Sequence, residues 1–357
     1  MFKRRIVYTL LASLLISGSS HISANSGQRK NSQEAFSSHE LLMRSALTDD
    51  LSSLKNSLNN GANINACDPE GITALHLAIF KGHSDAVNFL LNNGADVQTK
   101  LFTPPLTLAA SLGHIEIAQM LLDHGAKIDA TWRNNETALS AAVSNQQKDM
   151  TVFLLDRNAN INHTDHNENS ILAHAVFHKD QAVVLVLLQR GASVNLQNSA
   201  GITPLLQAAH DGSINIARLL LDYGADIEAK NRVGMTSLIM AAGMGNLETV
   251  QFLLECAANL NATSHMGNAL HVAIFNKHDS IAKFLIESGI DINLKSDANG
   301  YAPLHVAVLS SNVDMVSILL SYNVDSHSID NQGSTALHMA ELKGDANIAK
   351  LLQHKKV

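Results

Sequence analysis

The sequence predicts an all-α solenoid of about ten helix-turn-helix units joined by β-hairpin-like loops. Three observations predict it. The first is a recurring leucine, at Leu42, Leu75, Leu106, Leu139, Leu172, Leu205, Leu238, Leu270, Leu304 and Leu337, with spacings of 33, 31, 33, 33, 33, 33, 32, 34 and 33 residues. A fixed period of this size marks stacked repeats rather than one globular core. The second is another landmark kept in phase with the first: Gly61-Ala62-Asn63-Ile64-Asn65, then Gly94-Ala95-Asp96-Val97, Gly125-Ala126-Lys127-Ile128-Asp129, Asn158-Ala159-Asn160-Ile161-Asn162 and four later copies ending at Gly289-Ile290-Asp291-Ile292-Asn293. The third is composition. Apolar residues make up 46 % of the 357, enough for a continuous core, yet aromatics are only 4 %. Alanine and leucine therefore fill that core, as short helices packed closely side by side require.

Residues 1–24 read as a secretory signal. Lys3-Arg4-Arg5 form a basic start, and Ile6 to Ile16 is an apolar run of 11 residues. That is too short for a bilayer core of about 30 Å but suits a signal. Cleavage is expected after Ala24, with Ile22 at the third position before the cut; the competing reading is an uncleaved anchor. Residues 25–38, rich in Ser, Asn and Gln without apolar period, read as a linker. The repeat domain is expected over 39–357, in units near 39–67, 68–100, 101–131, 132–164, 165–197, 198–230, 231–263, 264–296, 297–329 and 330–357.

The first unit pairs a helix carrying Leu41, Leu42, Ala46 and Leu47 with one carrying Leu51, Leu54 and Leu58, and reads as a cap. In the second, Asp68-Pro69-Glu70-Gly71 is a turn: Asp can bond its own backbone, Pro fixes φ and Gly tolerates φ > 0. Thr73 is expected to cap the next helix. Gly82-His83 breaks it, Ser84 is expected to cap its partner, and Gly94 stops that partner. Neither helix is long enough to persist alone, so each depends on its neighbours. The unit at Leu106 is two residues short, and Lys100-Leu101-Phe102-Thr103-Pro104-Pro105 predicts a blunt loop.

The stretch Gly71-Ile72-Thr73-Ala74-Leu75-His76-Leu77-Ala78 together with the Gly-Ala-Asp close resembles the ankyrin repeat, over roughly residues 39 to 357. The resemblance implies a groove formed by loop fingers and inner helices that binds another protein. Carried onto this sequence, the groove positions are Phe80, Lys81, Leu112, Phe177, His178, His210, Asp211, Met244, Phe275, Leu309 and Leu342 on inner helices. On fingers they are Trp132, Arg133, Arg232, Met235, His265, Met266 and Tyr301. Aromatic, Met and Arg side chains are the types that supply binding energy at interfaces.

His76, His271, His305 and His338 share one repeat position, which argues for hydrogen bonds tying a helix start to an adjacent loop. His163, His166, His174 and His178 are the densest histidine group, with a spacing superficially like a zinc site. No cysteine joins it, so no metal and no cofactor is expected. No nucleophile elbow, phosphate loop or zinc-protease motif occurs, so the chain is not expected to be an enzyme. A formal charge of −7 without a basic stripe argues against nucleic acid, and it disfavours anionic lipid. Cys67 and Cys256 lie almost six repeats apart, too far for a bridge. The expectation is an exported monomer that binds a protein; an effector acting on host proteins and a periplasmic accessory factor or chaperone for an enzyme are the alternatives.

Overall fold

The computed structural model describes residues 37–99 and 102–354. The signal expected over 1–24, nearly all of the linker, Lys100-Leu101 of the shortened loop and the basic end at Lys355-Lys356 lie outside the described residues. The chain divides into two compact units, meeting in sequence at Trp132 and Arg133. Among the described residues there are twenty α-helices and no β-strand, only isolated bridges such as Cys67 with Thr73 and Thr164 with Ser170 at the bases of the fingers.

In the first unit the helices are α1 (Ser38–Thr48), α2 (Leu51–Asn59), α3 (Ala74–Lys81), α4 (Ser84–Asn92), α5 (Pro105–Leu112) and α6 (Ile115–Asp123). The inner helices α1, α3 and α5 pack side by side, and each is backed by its outer partner α2, α4 or α6. The second unit repeats the plan. Its inner row is α7 (Ala138–Ser144), α9 (Ile171–Phe177), α11 (Pro204–His210), α13 (Ser237–Met244), α15 (Ala269–Phe275), α17 (Pro303–Leu309) and α19 (Ala336–Lys343). Its outer row is α8 (Lys148–Leu155), α10 (Gln181–Gln189), α12 (Ile214–Asp222), α14 (Leu247–Glu255), α16 (Asp279–Glu287), α18 (Val313–Ser321) and α20 (Ala346–His354).

The two rows differ in burial, and the sequence shows why. An inner helix has a neighbour on each side and an outer helix behind it. Most of its turns are buried all round: Ala269 to Ile274 in α15 and Pro303 to Val308 in α17 are entirely inside. Alanine at Ala241, Ala242, Ala273 and Ala307 lets these backbones approach. An outer helix meets solvent on one side and buries only a stripe, such as Ile216, Ala217 and Leu220 in α12. The recurring leucines from Leu42 to Leu304 are all essentially inaccessible; Leu337, in the final described pair, is half-buried.

Helix starts follow the expected chemistry at Thr73, whose hydroxyl accepts from the His76 amide. Thr137, Ser170, Thr203, Thr236, Asn268 and Thr335 cap their helices in the same way. Ser84 does not. His83 stands at the cap position without a side-chain bond, and Ser84 instead donates to the Glu116 carboxylate. The cap is supplied by the preceding repeat: Asp49 Oδ1 accepts from the Ala86 amide at 3.1 Å. A carboxylate 37 residues away satisfies the orphan donor, and nothing local to Ser84 discloses it.

Neighbouring repeats are also tied at both ends of their loops. Asn65 Oδ1 accepts from the Asp96 amide, and Asn162, Asn195, Asn261 and Asn293 do the same for Ser193, Asp226, Asp291 and Asp325. At the finger tips of the second unit, backbone bonds run from one finger to the next: His166 to Asn134, Ser199 to Asn167, Arg232 to Ala200, His265 to Val233, Ala298 to His265 and Asn331 to Asn299. Gly201 permits one of these contacts. Its φ is +76°, and an added Cβ would lie 2.8 Å from the Arg232 amide nitrogen.

Candidate binding face

Five of the seven inner helices of the second unit end on or next to an exposed apolar side chain. The helix is buried along most of its length, and the chain then turns back into the outer helix. Phe177 is 63 % exposed, Phe275 57 % and Leu342 75 %, with Met244 and Leu309 also exposed. Ser144 at the end of α7 and His210 at the end of α11 take the corresponding place, so this row has two polar members. The other five make a stripe along the inner row.

The other positions carried from the sequence are distributed unevenly. Lys81, Arg133, Arg232, His265 and Met266 are exposed. Phe80, in the same repeat slot as Phe177 and Phe275, is half-buried, with the Lys81 ammonium 5.9 Å from its ring centre. Leu112 is half-buried as well. Trp132 packs on Phe102 at 6.5 Å, and Phe102 meets the His76 ring edge-on. Met235 and Tyr301 are partly buried against the core of the second unit, and Tyr301 stacks on His305. Those three fingers therefore use their large side chains to anchor the loop. Exposed Val233 and Ile329 were not singled out by sequence. Val233 shares its finger position with Met266 and Ala200, and with polar Glu70 and Gln332, so residue type alone gave little signal.

The histidine group around Phe177 is resolved into separate contacts. His174 lies 3.2 Å from the Asp165 carboxylate, His163 Nε2 contacts the Asn135 carbonyl, and the His178 ring meets Phe177 edge-on at 5.4 Å. Burial lowers the His178 pKa, and His174 adds to the effect. Burial alone would raise Asp165, but hydrogen bonds from Asn169 and Asn167 and the neighbouring His174 overcome it and hold the carboxyl low. Among the described residues no group of three or more His, Cys, Asp or Glu side chains could hold a metal ion. His210 pairs with Asp211 at 2.8 Å. An open hollow of about 530 Å³ on the outer row is lined by Leu254, Leu260 and Phe284 together with Gln251, Glu255 and Ser288.

Glu136, just ahead of α7, has its carboxyl pushed up to about 7 by burial. A folded-state value above that of the unfolded chain means stability fully present below the ordinary value of 4.5 and lost as pH rises from there through about 7. Glu136→Gln is expected to raise the melting temperature at pH 8 by about 2 °C or more and to leave it nearly unchanged at about pH 4. Differential scanning calorimetry at the two pH values checks this.

Known proteins agree with the repeat geometry. The profile for ankyrin repeats (3 copies) matches residues 42–132, 129–198, 172–264, 205–296 and 270–357. The chain belongs to the ankyrin repeat family. Ankyrin repeats bind other proteins, and no helix among the described residues is long and apolar enough to cross a membrane. The chain is similar to the putative ankyrin repeat protein FPV024 of fowlpox virus (strain NVSL), 44 % identical over 69 residues, or 19 % of this chain and 12 % of that protein. It is 33 % identical over 95 residues to the nuclear factor NF-kappa-B p105 subunit of Gallus gallus, covering 25 % of this chain and 10 % of that one. The chain thus spans about a tenth of the length of these relatives. The crystal structure of the human ASB11 ankyrin repeat domain matches 60 % of this chain and 96 % of its own, at a TM-score of 0.54 and 29 % identity.

Proposed function

We propose that this ankyrin repeat chain is a non-enzymatic, exported scaffold that holds another protein against the inner row of its second unit. The observation that carries the proposal is the exposed stripe of Phe177, Met244, Phe275, Leu309 and Leu342. These are the most exposed large apolar side chains of the inner row, so their surface is available to a partner. The frame behind them is buried and closely tied, which lowers the ordering cost of association. Export rests on the basic-apolar leader at residues 1–24.

The test has two arms. Affinity capture with the chain beginning at Asn25, followed by mass spectrometry, identifies the bound protein. A variant with Phe177, Phe275 and Leu309 changed to Ser is then compared with the parent. The expected result is loss of capture by at least about tenfold, since buried aromatic anchors commonly contribute 2 kcal/mol or more, with helical content and urea midpoint unchanged. Unaltered capture, or a variant that no longer folds, would sink the proposal. Fractionation of cells expressing the full chain and a chain lacking residues 1–24 tests export separately.

A further inference from the structure

The fingers of the second unit carry an electrostatic pattern that the stripe does not explain. Seven fingers, one in the first unit and six in the second, are each closed by one side chain accepting from amides that follow it. Asp68 does this for Glu70 and Ile72, Asp165 for Asn167 and Asn169, and Asp330 for Gln332 and Ser334. In four successive fingers between Asp165 and Asp330 the same position is neutral. Asn198 accepts from Ala200 and Ile202, Asn231 from Val233 and Met235, Ser264 from Met266, and Ser296 from Tyr301. The hydrogen-bonding task is kept while the anion is removed.

Cations accumulate in the same place. Lys230, Arg232 and Lys295 are all exposed. Lys230 Nζ donates to the Thr263 carbonyl and Lys295 Nζ to the Ile329 carbonyl, neutral partners that leave the charge uncompensated. None of the three takes part in any ion pair among the described residues. The carboxylates closest along the chain are Asp226 and Glu228 before Lys230, Asp291 before Lys295, and Asp297; the first three accept from backbone amides, and the chain's formal charge is −7. Beside the cations stand the exposed apolar side chains of Val233 and Met266.

We infer that this stretch of the finger row binds a carboxylate-rich segment of the partner protein with apolar side chains between its acidic ones. The inference rests on the scaffold reading above and names the chemistry of what is held. Adjacent repeats are about 10 Å apart, so the cations of the 230–232 finger and Lys295 are separated by about 20 Å. That is about six residues of extended chain at roughly 3.3 Å each, which sets the spacing of the acidic groups.

The experiment uses the full chain and three short fluorescein-labelled peptides: repeated Asp-Leu-Glu, its amide analogue Asn-Leu-Gln, and Lys-Leu-Arg. Fluorescence anisotropy should show binding of the acidic peptide alone, weakening as salt is raised. The variant K230E/R232E/K295E should weaken it by about tenfold or more, a few-fold per exposed charge. K230Q/R232Q/K295Q keeps side-chain length and should lose a smaller share. Equal binding of the amide peptide, no change on charge reversal, or binding of a single-stranded oligonucleotide in place of the acidic peptide would overturn the inference. A captured partner that is lost on changing Phe177, Phe275 and Leu309 but is indifferent to charge reversal would overturn it while leaving the scaffold standing.

Discussion

Changing Leu270 to Ala is expected to cost the fold about 3 kcal/mol, within the range of roughly 2–5 kcal/mol seen for buried leucines, whereas changing Phe275 to Ala should cost about 0.5 kcal/mol or less. The two residues sit on one helix, α15, five positions apart. Leu270 is wholly inaccessible and belongs to the core that runs through α13, α15 and α17. Removing its side chain leaves a hole that the flanking helices cannot close, because each is itself fixed by a further neighbour. Phe275, 57 % exposed, supports nothing comparable. Urea unfolding followed by circular dichroism checks the pair. Repeat arrays couple neighbours without being strictly all-or-none, so midpoint and slope are read together. Equal losses for the two variants would mean that the phenylalanine is structural and that the exposed stripe is no binding face.

This contrast shows which parts of the molecule were legible in the residues. The leucine period specified the stack because burial recurs with the repeat, and the Thr-Ala-Leu starts specified helix caps because a cap is local chemistry. Contacts between repeats were not legible. Asp49 capping α4 through Ala86, Asn162 accepting from Ser193 and the backbone ladder along the finger tips each join chain segments whose pairing depends on how neighbouring repeats stack. Finger side chains were hardest to place. Tyr301 follows the glycine of its finger, as Ile72 and Met235 do, and folds back onto His305 and the core, while Val233 precedes Gly234 and faces solvent. Two neighbouring places in one turn point to opposite sides, and the residue types alone do not tell them apart. The neutral finger-closing residues Asn198, Asn231, Ser264 and Ser296 are plain in the sequence, but only the geometry shows that they replace an acid at one position.

The fold should also lose stability between about pH 6.5 and pH 4, through the histidines of the repeat motif. His76 is fully buried, and its two ring nitrogens have opposite tasks: Nδ1 accepts from the Thr73 amide at 3.1 Å, and Nε2 donates to the Thr103 carbonyl at 2.8 Å. His305 repeats this with the Ala302 amide and the Ser334 carbonyl. Only a neutral ring protonated at Nε2 can do both, because a second proton on Nδ1 would face an N–H donor. Burial lowers both groups, His76 to about 4 and His305 in the same direction. The unfolded chain, titrating near 6.5, therefore binds more protons than the folded one across this window, and stability falls as pH falls. For His76 the loss at the acid end is on the order of 3 kcal/mol, opposed by Glu136, whose raised carboxyl works with the other sign. Urea midpoints taken from pH 7.5 down to 4 measure the slope. His76→Gln should start lower at neutral pH, having lost a ring that bridges two loops, and then decline less steeply than the parent. A parent profile that stays level through this window, or a variant that declines as steeply, would show that the histidine can take up its proton without breaking the tie between repeats. His338 supplies the internal comparison: it occupies the same motif position but is exposed, so His338→Gln should leave both the neutral-pH midpoint and the acid slope unchanged.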